Sequence, residues 1–239
     1  MPAHANGDLA TSQLSGNIRS IRDRMEAACH RAGRQPQDLR LVAVSKTFPA
    51  EAIREAFEAG VRDFGENRVQ EAARKKPLLE DLNITWHLIG HLQTNKARTA
   101  RELFDYVHSI DSFRLASKLD ETPRDPGDRL PVLLQVNLGG ESAKSGLREE
   151  AVEEIAEGVS RLANLTLRGL MLIPPFFEVP EQSRPYFRRL RELAARIEAG
   201  RLPNVSMKEL SMGMSHDFEV AVEEGATLVR VGTAIFGSR

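Results

Sequence analysis

The chain of 239 residues contains a single cysteine, Cys29, and carries almost no net charge. One cysteine excludes an intramolecular disulfide framework and is compatible with a reducing compartment, so we expect a cytoplasmic protein. The 33 basic and 34 acidic residues leave a net charge of -1. Such a balance gives no global field to attract nucleic acid or an anionic membrane. We therefore expect no nucleic-acid and no membrane partner.

Long apolar runs and a secretion signal are missing as well. No segment approaches the roughly 18 consecutive apolar residues of a membrane span, and MPAHANGDLATSQ has neither a basic nor an apolar signal region. Of the six histidines only His87 and His91 lie close together, without a cysteine or carboxylate at ligand spacing, so we predict no metal site. Residues 1–9 are short, polar and turn-prone, which predicts a disordered N-terminus.

After this segment, helical and strand-like patterns alternate along the whole chain. Apolar residues recur at helical spacing from Leu14 to Ala28, which predicts a helix over 10–33. The predicted strands cover residues 39–45, 61–67, 84–90, 104–111, 130–138, 165–174, 207–214 and 227–237. The predicted helices between them cover residues 51–60, 68–80, 94–104, 111–121, 148–163, 181–199 and 215–225.

Eight strands alternating with helices favour an α/β fold, a closed (β/α)₈ barrel of the TIM type with an extra N-terminal helix. The rival architecture is a doubly wound open sheet. An open sheet usually needs fewer strands, and no GxGxxG turn follows the first strand here. Because no long linker, low-complexity tract or repeat divides the chain, residues 10–239 are predicted to form one domain.

In such a barrel the chemistry lies at the C-terminal ends of the strands. The first predicted strand, in LRLVAVSK, ends on Lys46. Taken alone, a lysine there is more often a solvated strand end than a group held in a pocket. Polar or glycine residues end the other strands as well: Asn67, His87, Gly90, His91, Asn137, Ser211, Gly213, Ser215, Arg230, Gly232 and Thr233.

The stretches LSMGMSHDF and VRVGTAIFG end the seventh and eighth predicted strands. In the first, small residues before Ser215 expose backbone N–H groups at a helix start, which favours an anion. In the second, Gly232 permits close backbone approach and Thr233 adds a hydroxyl. Each feature alone would be an N-cap or a turn. Together at these two strand ends they indicate a phosphate site.

A phosphate site beside an inward lysine is the minimum for pyridoxal 5'-phosphate, whose aldehyde condenses with a lysine amine to a Schiff base. Closure of the barrel would put Lys46 beside Arg230 and Asn67. If Arg230 faces the ring nitrogen, that nitrogen stays unprotonated, because a permanent cation cannot accept a proton. The alternative for Arg230 is a strand-end salt bridge to Glu209 or Glu66.

At this point AVSKT, FGENRVQE, WHLIGHLQTNK, GLMLIP and LSMGMSHDFEVAVEEGATLVRVGTAIFG together resemble the pyridoxal phosphate homeostasis protein family, single-domain relatives of the alanine racemase barrel. The resemblance implies a protein that buffers or delivers the cofactor in vitamin B6 and amino-acid homeostasis. It assigns the Schiff base to Lys46 and the ring-nitrogen contact to Arg230. Further cofactor-binding residues that it implies are Asn67, Ser215, Gly232, Thr233, His87 and Met171. The loop 137–146, NLGGESAKSG, departs from the family's lysine-bearing loop in reading GGES.

The remaining question is whether the protein is an enzyme. Racemisation needs an acid or base on each face of the cofactor adduct, one of which is the lysine. The family comparison implies that alanine racemases take the second group, a tyrosine, from an additional domain of the partner subunit. This chain ends at Arg239, and neither Tyr106, on the fourth predicted strand, nor Tyr186, on an outer helix, is a convincing second base.

We therefore predict a monomeric cofactor-binding homeostasis protein without catalytic residues, whose partners are pyridoxal phosphate and the apoenzymes that receive it. The alternative is a weak amino-acid racemase or a related pyridoxal phosphate enzyme of the same barrel type. A third interpretation is an interaction module, in which the arginines of helix 181–199 bind an acidic partner. Leu190, Leu193 and Ile197 recur at helical spacing there, which favours a solvated outer barrel helix instead.

Overall fold

The computed structural model describes residues 5–139 and 145–237, with side chains from residue 13 onward. Eight parallel strands pair in chain order, and the eighth pairs with the first to close a barrel. This confirms the predicted α/β barrel. The strands are β1 (Arg40–Val44), β2 (Asp63–Glu66), β3 (Thr85–Leu88), β4 (Tyr106–Ile110), β5 (Leu130–Val136), β6 (Leu165–Leu172), β7 (Val205–Met214) and β8 (Leu228–Val231).

Helices connect the strands and pack around the outside of the barrel. They are α1 (Ala5–Arg31), α2 (Ala50–Glu58), α3 (Val69–Lys75), α4 (Ala97–Leu103), α5 (Phe113–Asp120), α6 (Glu149–Ser160), α7 (Arg184–Ala199), α8 (Phe218–Glu223) and α9 (Thr233–Phe236). The predicted helix 68–80 is shorter than expected, because Pro77 has no N–H to donate and the chain continues as a 3₁₀ turn over Lys76–Leu79. None of the helices in the described ranges is long and apolar enough to cross a membrane.

The structure also differs from the predicted boundaries at the two ends of the chain. Helix α1 begins at Ala5 rather than at residue 10, inside the segment predicted to be disordered, and it runs through the turn signal of Asn6 and Gly7. Residues 1–4 lie outside the described part of the chain. At the other end the predicted strand 227–237 stops at Val231.

The residues after β8 form the short helix α9 rather than more strand. The N–H groups of Ile235 and Phe236 both donate to the carbonyl oxygen of Gly232, at 2.9 and 3.0 Å. Asn17 of α1 donates to the carbonyl oxygen of Ile235 at 2.9 Å, and Phe236 stacks on Phe48. The apolar residues that looked like a strand are therefore buried against a helix and a loop.

The arginines of α7 pair with carboxylates of neighbouring segments. Arg184 contacts Glu223 at 2.6 Å and Glu224 at 3.1 Å, and Arg188 contacts Glu224 at 2.9 Å. Meanwhile the apolar face, with Leu190 and Leu193, is fully buried. The structure thus supports the interpretation of this segment as an outer barrel helix, since its positive charge is matched within the molecule.

Gly213, in the middle of SMGMS, bends the end of β7. Its φ is +90°, and the register between β7 and β8 shifts between Ser211 and Met214. A Cβ atom at Gly213 would lie 2.6 Å from the Cβ of Ala221 and 2.9 Å from the Cα of Phe218. Only glycine fits here, since both the backbone conformation and the approach of α8 exclude a side chain. The bend directs the following residues toward the mouth of the barrel.

We expect Gly213→Ala to lower the free energy of unfolding by about 3 kcal/mol, since it adds a steric clash to an unfavourable backbone conformation. The matched control is Gly127→Ala, because Gly127 has a similar φ of +84° but open space around it. The control should lose only about 1 kcal/mol. Urea unfolding of both variants measures the difference, and equal losses would contradict the packing argument.

Candidate functional site

A cavity of about 850 Å³ opens at the C-terminal mouth of the barrel. Six of the eight residues assigned to cofactor binding line it: Lys46, Asn67, Ser215, Arg230, Gly232 and Thr233. They follow or end β1, β2, β7 and β8, so closure of the barrel brings together residues from both ends of the sequence. Sequence reasoning missed several further lining residues, among them Phe48, Ile89, Gln135, Ile173 and Phe176.

His87 and Met171 do not line this cavity, which corrects their assignment as lining residues. Both side chains are fully buried in the interior of the barrel. Side chains two residues apart on a strand point to the same side. Ile89 and Ile173 therefore occupy the corresponding positions nearer to the mouth, and they do line the cavity. Met171 packs against Tyr106 and Leu133 below it.

The turn that carries Lys46 has an unusual backbone. Ser45 is fully buried, and its hydroxyl donates to Oε1 of Glu66 at 2.7 Å. Lys46 is half-buried, and the next residue, Thr47, has a φ of +68°. A β-branched residue in the left-handed region is strained, so the surroundings must hold it there. The N–H of Thr47 donates to the carboxylate of Glu71, which supplies one such restraint.

Lys75 supplies the second restraint from the last turn of α3. Its side chain is only 9% exposed, and Nζ donates to the carbonyl oxygen of Ser45 at 2.8 Å. The same Nζ donates to Oε1 of Glu66 at 2.7 Å and to Oε1 of Glu71 at 2.6 Å. All three donor directions of the ammonium are thus used. Lys75 ties α3 and the end of β2 to the turn before Lys46.

The pKa values of the two carboxylates in this cluster are shifted in opposite directions. Burial raises the pKa of Glu66, against the opposing hydrogen bonds from Lys75 and Ser45. Burial also acts on Glu71, but the hydrogen bonds from Lys75 and Thr47 outweigh it and lower the pKa of Glu71. The sequence held one signal for this cluster, since Val69, Ala72 and Lys75 share the buried face of α3. A lysine in an apolar helical stripe indicates a buried partner.

We expect Lys75→Met to lower the free energy of unfolding by about 3 to 5 kcal/mol, because it leaves the buried Glu66 without its counter-charge. Adding Glu66→Gln should restore part of that loss, since it removes the unpaired charge. The control is Lys76→Met, which removes a half-buried ammonium that donates to the carbonyl oxygen of Leu103 and should lose about 1 kcal/mol. Denaturant unfolding compares the three proteins, and similar losses for both lysine variants would argue against the network.

Arg230 lies at the base of the cavity and is only 4% exposed. Its Nη1 donates to Oγ of Ser211 at 2.6 Å, and its Nη2 donates to the carbonyl oxygen of Leu172 at 2.9 Å. The alternative of a salt bridge to Glu209 or Glu66 is wrong, because these carboxylates bind Arg40 and Lys75 instead. Burial lowers the pKa of Arg230 to about 10. Among the described residues Arg230 forms no ion pair.

Donor groups also converge on the cavity where β7 and β8 end. Oγ of Ser215 accepts long hydrogen bonds from the N–H groups of Gly232 and Ala234, at 3.3 and 3.4 Å. Gly232 approaches β1 closely, since a Cβ there would lie 3.2 Å from the carbonyl oxygen of Val44. Within the described ranges no aspartate or glutamate lines the cavity, whereas Lys46 and Arg230 do. The cavity is suited to an anionic ligand.

A chain of polar side chains crosses the barrel interior below Arg230. Oγ of Ser211 lies 2.9 Å from Nδ1 of His108, whose Nε2 lies 2.9 Å from Nδ1 of His87. His87 Nε2 then lies 2.9 Å from Oδ1 of Asp63. Burial lowers the pKa of His87, against the opposing effect of its hydrogen bond to Asp63. Burial lowers the pKa of His108 further, with help from nearby His87, Arg230 and Arg40. Both histidines are therefore neutral at pH 7.

This pair makes stability depend on pH in a defined direction. The unfolded chain takes up protons on these histidines near pH 6.5, and the folded chain does not, so the free energy of unfolding should decrease as the pH falls through that range. The expected slope is up to about 1.4 kcal/mol per pH unit for each histidine. Urea unfolding from pH 8 to pH 5.5 measures it.

The double variant His87→Gln/His108→Gln should flatten this part of the profile. The control is His91→Gln, because His91 is exposed at the mouth and its replacement should leave the slope unchanged. A wild-type profile that is flat between pH 5.5 and pH 7 would contradict the assignment of two neutral, buried histidines.

Comparison with known proteins agrees with this geometry. The model of the family "Alanine racemase, N-terminal domain" matches residues 12–239. The pyridoxal phosphate homeostasis protein of Aquifex aeolicus is 47% identical over 219 residues, which cover 92% of this chain and 95% of that relative. The chain belongs to the pyridoxal phosphate homeostasis protein family. The resemblance inferred from the sequence motifs is thereby confirmed.

Solved structures include members of this family and more distant barrels. PipY of Synechococcus elongatus, solved with pyridoxal phosphate bound, is 42% identical and superposes with a TM-score of 0.82, covering 94% of this chain and 100% of that chain. An alanine racemase of Clostridium difficile is 14% identical with a TM-score of 0.69, covering 95% of this chain and 57% of that one. The racemase therefore shares the fold alone. The unusual GGES segment of loop 137–146 falls largely on residues 140–144, outside the described residues.

Proposed function

We propose that this protein holds pyridoxal 5'-phosphate in the mouth cavity through a Schiff base to Lys46 and keeps it in reserve for apoenzymes. The observation that carries the proposal is one cavity that combines a half-buried lysine, a buried arginine and clustered hydrogen-bond donors. The names of the family members and the cofactor bound to PipY support it. The setting would be vitamin B6 and amino-acid homeostasis in the cytoplasm.

The hydrogen-bond donors of the cavity fit both the phosphate and the ring nitrogen of the cofactor. Ser215, Thr233 and the backbone N–H groups of Gly232 and Ala234 would hold the phosphate, which needs several donors and tolerates no nearby carboxylate. Arg230 would donate to the ring nitrogen, since a guanidinium can pair with an acceptor and not with a protonated nitrogen. Asn67 would lie beside the ring. Its backbone packs so closely on Gly90 that a Cβ there would lie 2.3 Å from the Asn67 carbonyl oxygen.

Lys46 would supply the covalent bond. When bound, the cofactor would supply an aldehyde, and Nζ of Lys46 would be the amine that condenses with it to a Schiff base with release of water. Hydrolysis reverses this step and needs only water at the mouth. The rim is open enough for that, because Phe176 on the loop after β6 is 80% exposed. Reversible binding of this kind suits a reserve of cofactor.

A carrier rather than a racemase is favoured by the positions of the tyrosines. Tyr106 is buried inside the barrel with its hydroxyl bound to the carboxylate of Glu209, and Tyr186 lies on α7 outside it. The two histidines at the mouth have partners on the rim: His91 lies 3.0 Å from Asp111, and His216 lies 3.0 Å from the carbonyl oxygen of Phe177. Among the described residues, the tyrosines and the histidines at the mouth therefore supply no second base that faces Lys46 from a fixed position.

We further infer that the protein acts as a monomer, because the residues of one chain supply the lysine, the arginine and the phosphate donors of the site. The alternative function is that of a weak racemase or a related amino-acid enzyme, because alanine racemases share this barrel. The two functions differ in turnover and are separated by the second experiment below.

The first experiment measures the visible absorbance of protein that has been mixed with pyridoxal phosphate, dialysed and reduced with borohydride before peptide mapping. Wild-type protein should retain an imine band, and the reduced adduct should map to Lys46. Lys46→Ala should lose the band, while the control Lys208→Ala, at an exposed position on β7, should keep it. Loss of the cofactor on dialysis, or equal labelling of other lysines, would refute the proposed site.

The second experiment is a racemisation assay with several amino acids on the loaded protein. A carrier should give no turnover above that of Lys46→Ala. Turnover that is abolished by Lys46→Ala would instead establish the racemase alternative, and it would do so without changing the assignment of the cofactor site.

A further inference from the structure

The polar chain inside the barrel connects the cofactor cavity to the opposite end of the fold. It runs from Arg230, which lines the cavity, through Ser211, His108 and His87 to Asp63. These residues come from β8, β7, β4, β3 and β2. Asp63 is the first residue of β2, so it lies at the N-terminal end of the barrel, away from the mouth. Ser211, His108 and His87 are completely buried.

The hydrogen bonds of this chain have only one consistent direction when both histidines are neutral. The Asp63 carboxylate can only accept, so Nε2 of His87 must carry the proton and Nδ1 of His87 must accept. His108 must then donate from Nε2, which leaves its Nδ1 as an acceptor for the Ser211 hydroxyl. The Ser211 oxygen in turn accepts from Nη1 of Arg230. Every donor finds one acceptor, from the guanidinium to the carboxylate.

The opposite direction needs one more proton. If His108 donated from Nδ1 to Ser211, its Nε2 would have to accept from Nδ1 of His87. His87 would then need protons on both nitrogens, because a bare Nε2 would face the acceptor-only carboxylate of Asp63. Burial in the barrel interior, with a smaller effect of Arg40, disfavours that additional positive charge on His87 and outweighs the favourable effect of Asp63. Tyr106 stacks on His87 and meets His108 edge-on, and its hydroxyl donates to Glu209, so it offers no alternative acceptor.

We propose that Ser211, His108, His87 and Asp63 are positioning residues that hold the Arg230 guanidinium in a fixed orientation toward the ring nitrogen of the cofactor. This inference rests on the proposed function. The guanidinium of Arg230 donates to two acceptors, the Leu172 carbonyl and the Ser211 hydroxyl oxygen. The two histidines polarise the Ser211 hydroxyl toward the distant carboxylate of Asp63. The remaining guanidinium N–H groups are then free to face the cavity.

The arrangement has a chemical consequence. A carboxylate placed directly on Arg230 would hold the guanidinium equally well, but it would also bring a negative charge near the ring nitrogen and favour its protonation. A chain of neutral groups keeps that carboxylate on the far side of two imidazoles. The ring nitrogen therefore stays an acceptor, which makes the cofactor a weaker electron sink and suits storage rather than turnover.

The first test needs no cofactor. Long-range ¹H–¹⁵N NMR of the unloaded, histidine-labelled protein reports which ring nitrogen carries the proton. We expect both His87 and His108 as the Nε2–H tautomer at pH 7, and Asp63→Ala should shift His87 toward a mixture. An Nδ1–H tautomer for His108, or a doubly protonated His87, would overturn the proposed direction.

The second test compares the affinities for pyridoxal phosphate and for 1-deazapyridoxal phosphate, in which a C–H replaces the ring nitrogen. Wild-type protein should prefer pyridoxal phosphate by about tenfold or more, the usual strength of a hydrogen bond to a charged group. Ser211→Ala should reduce this preference toward one, and the milder Asp63→Asn should reduce it partly. The control is Glu209→Gln, which removes a half-buried carboxylate that binds Arg40 and Tyr106 outside the polar chain, and it should keep the full preference.

The outcomes separate the two proposals. If wild-type protein binds neither compound, the proposed function itself fails. If it prefers pyridoxal phosphate and the preference survives in both Ser211→Ala and Asp63→Asn, the cofactor site stands and the positioning role is wrong. An equal loss of preference in Glu209→Gln would assign the effect to the overall charge at that end of the barrel and would also overturn the positioning role.

Discussion

The buried ammonium of Lys75 is the interaction on which the candidate site depends. It joins the carbonyl of Ser45 to the carboxylates of Glu66 and Glu71, and Glu71 in turn holds the N–H of Thr47. The left-handed conformation of Thr47 is unfavourable by itself, so it persists only because this cluster restrains the chain on both sides of Lys46. A buried ion pair adds little net stability compared with apolar packing, but it specifies one geometry. Here that geometry is the turn that presents Lys46 to the cavity.

Charge is distributed unevenly around this turn. The described cavity lining contains Lys46 and Arg230 and no carboxylate, whereas Glu66, Glu71 and Asp63 lie behind it or at the far end of the barrel. Each of these carboxylates is connected to a lining residue through hydrogen bonds of an intervening residue, and not by a direct contact. The layout leaves the positive charge of the cavity available to a ligand, and it explains how a buried guanidinium such as Arg230 remains oriented without an adjacent counter-ion.

The same barrel serves alanine racemases, so the fold alone does not decide what this protein does. The distinction lies in which groups face the lysine. The interior of the barrel contains two histidines and Tyr106, which would look like catalytic groups in a list of residues, yet their hydrogen-bonding atoms are committed to one another, to Ser211 and to two carboxylates. All three side chains lie in the barrel interior, and none of them lines the cavity.

The local patterns of the sequence determined most of the fold and the position of the residues at the barrel mouth. Eight apolar runs predicted the barrel, because a strand buried on both faces needs a continuous apolar segment. The position of Lys46 at a strand end and the small residues of SMGMS and VGT predicted the mouth, because the C-terminal ends of barrel strands meet there. The end of β8 escaped prediction, since Ala234, Ile235 and Phe236 are as apolar in a helix packed on α1 as they would be in a strand.

Only the tertiary structure decided which groups meet. The sequence could not assign the partner of Arg230, because Ser211 becomes its neighbour only when β7 pairs with β8. Nor could it join His108 to Ser211, 103 positions apart on strands that are not adjacent, since that contact exists only across the interior of a closed barrel. That His87 and Met171 are buried below the cavity, and do not line it, also depends on the closure of the barrel. Residue types and their spacing are local properties, whereas hydrogen-bond partners depend on strand register and on the side of the barrel wall that each side chain faces.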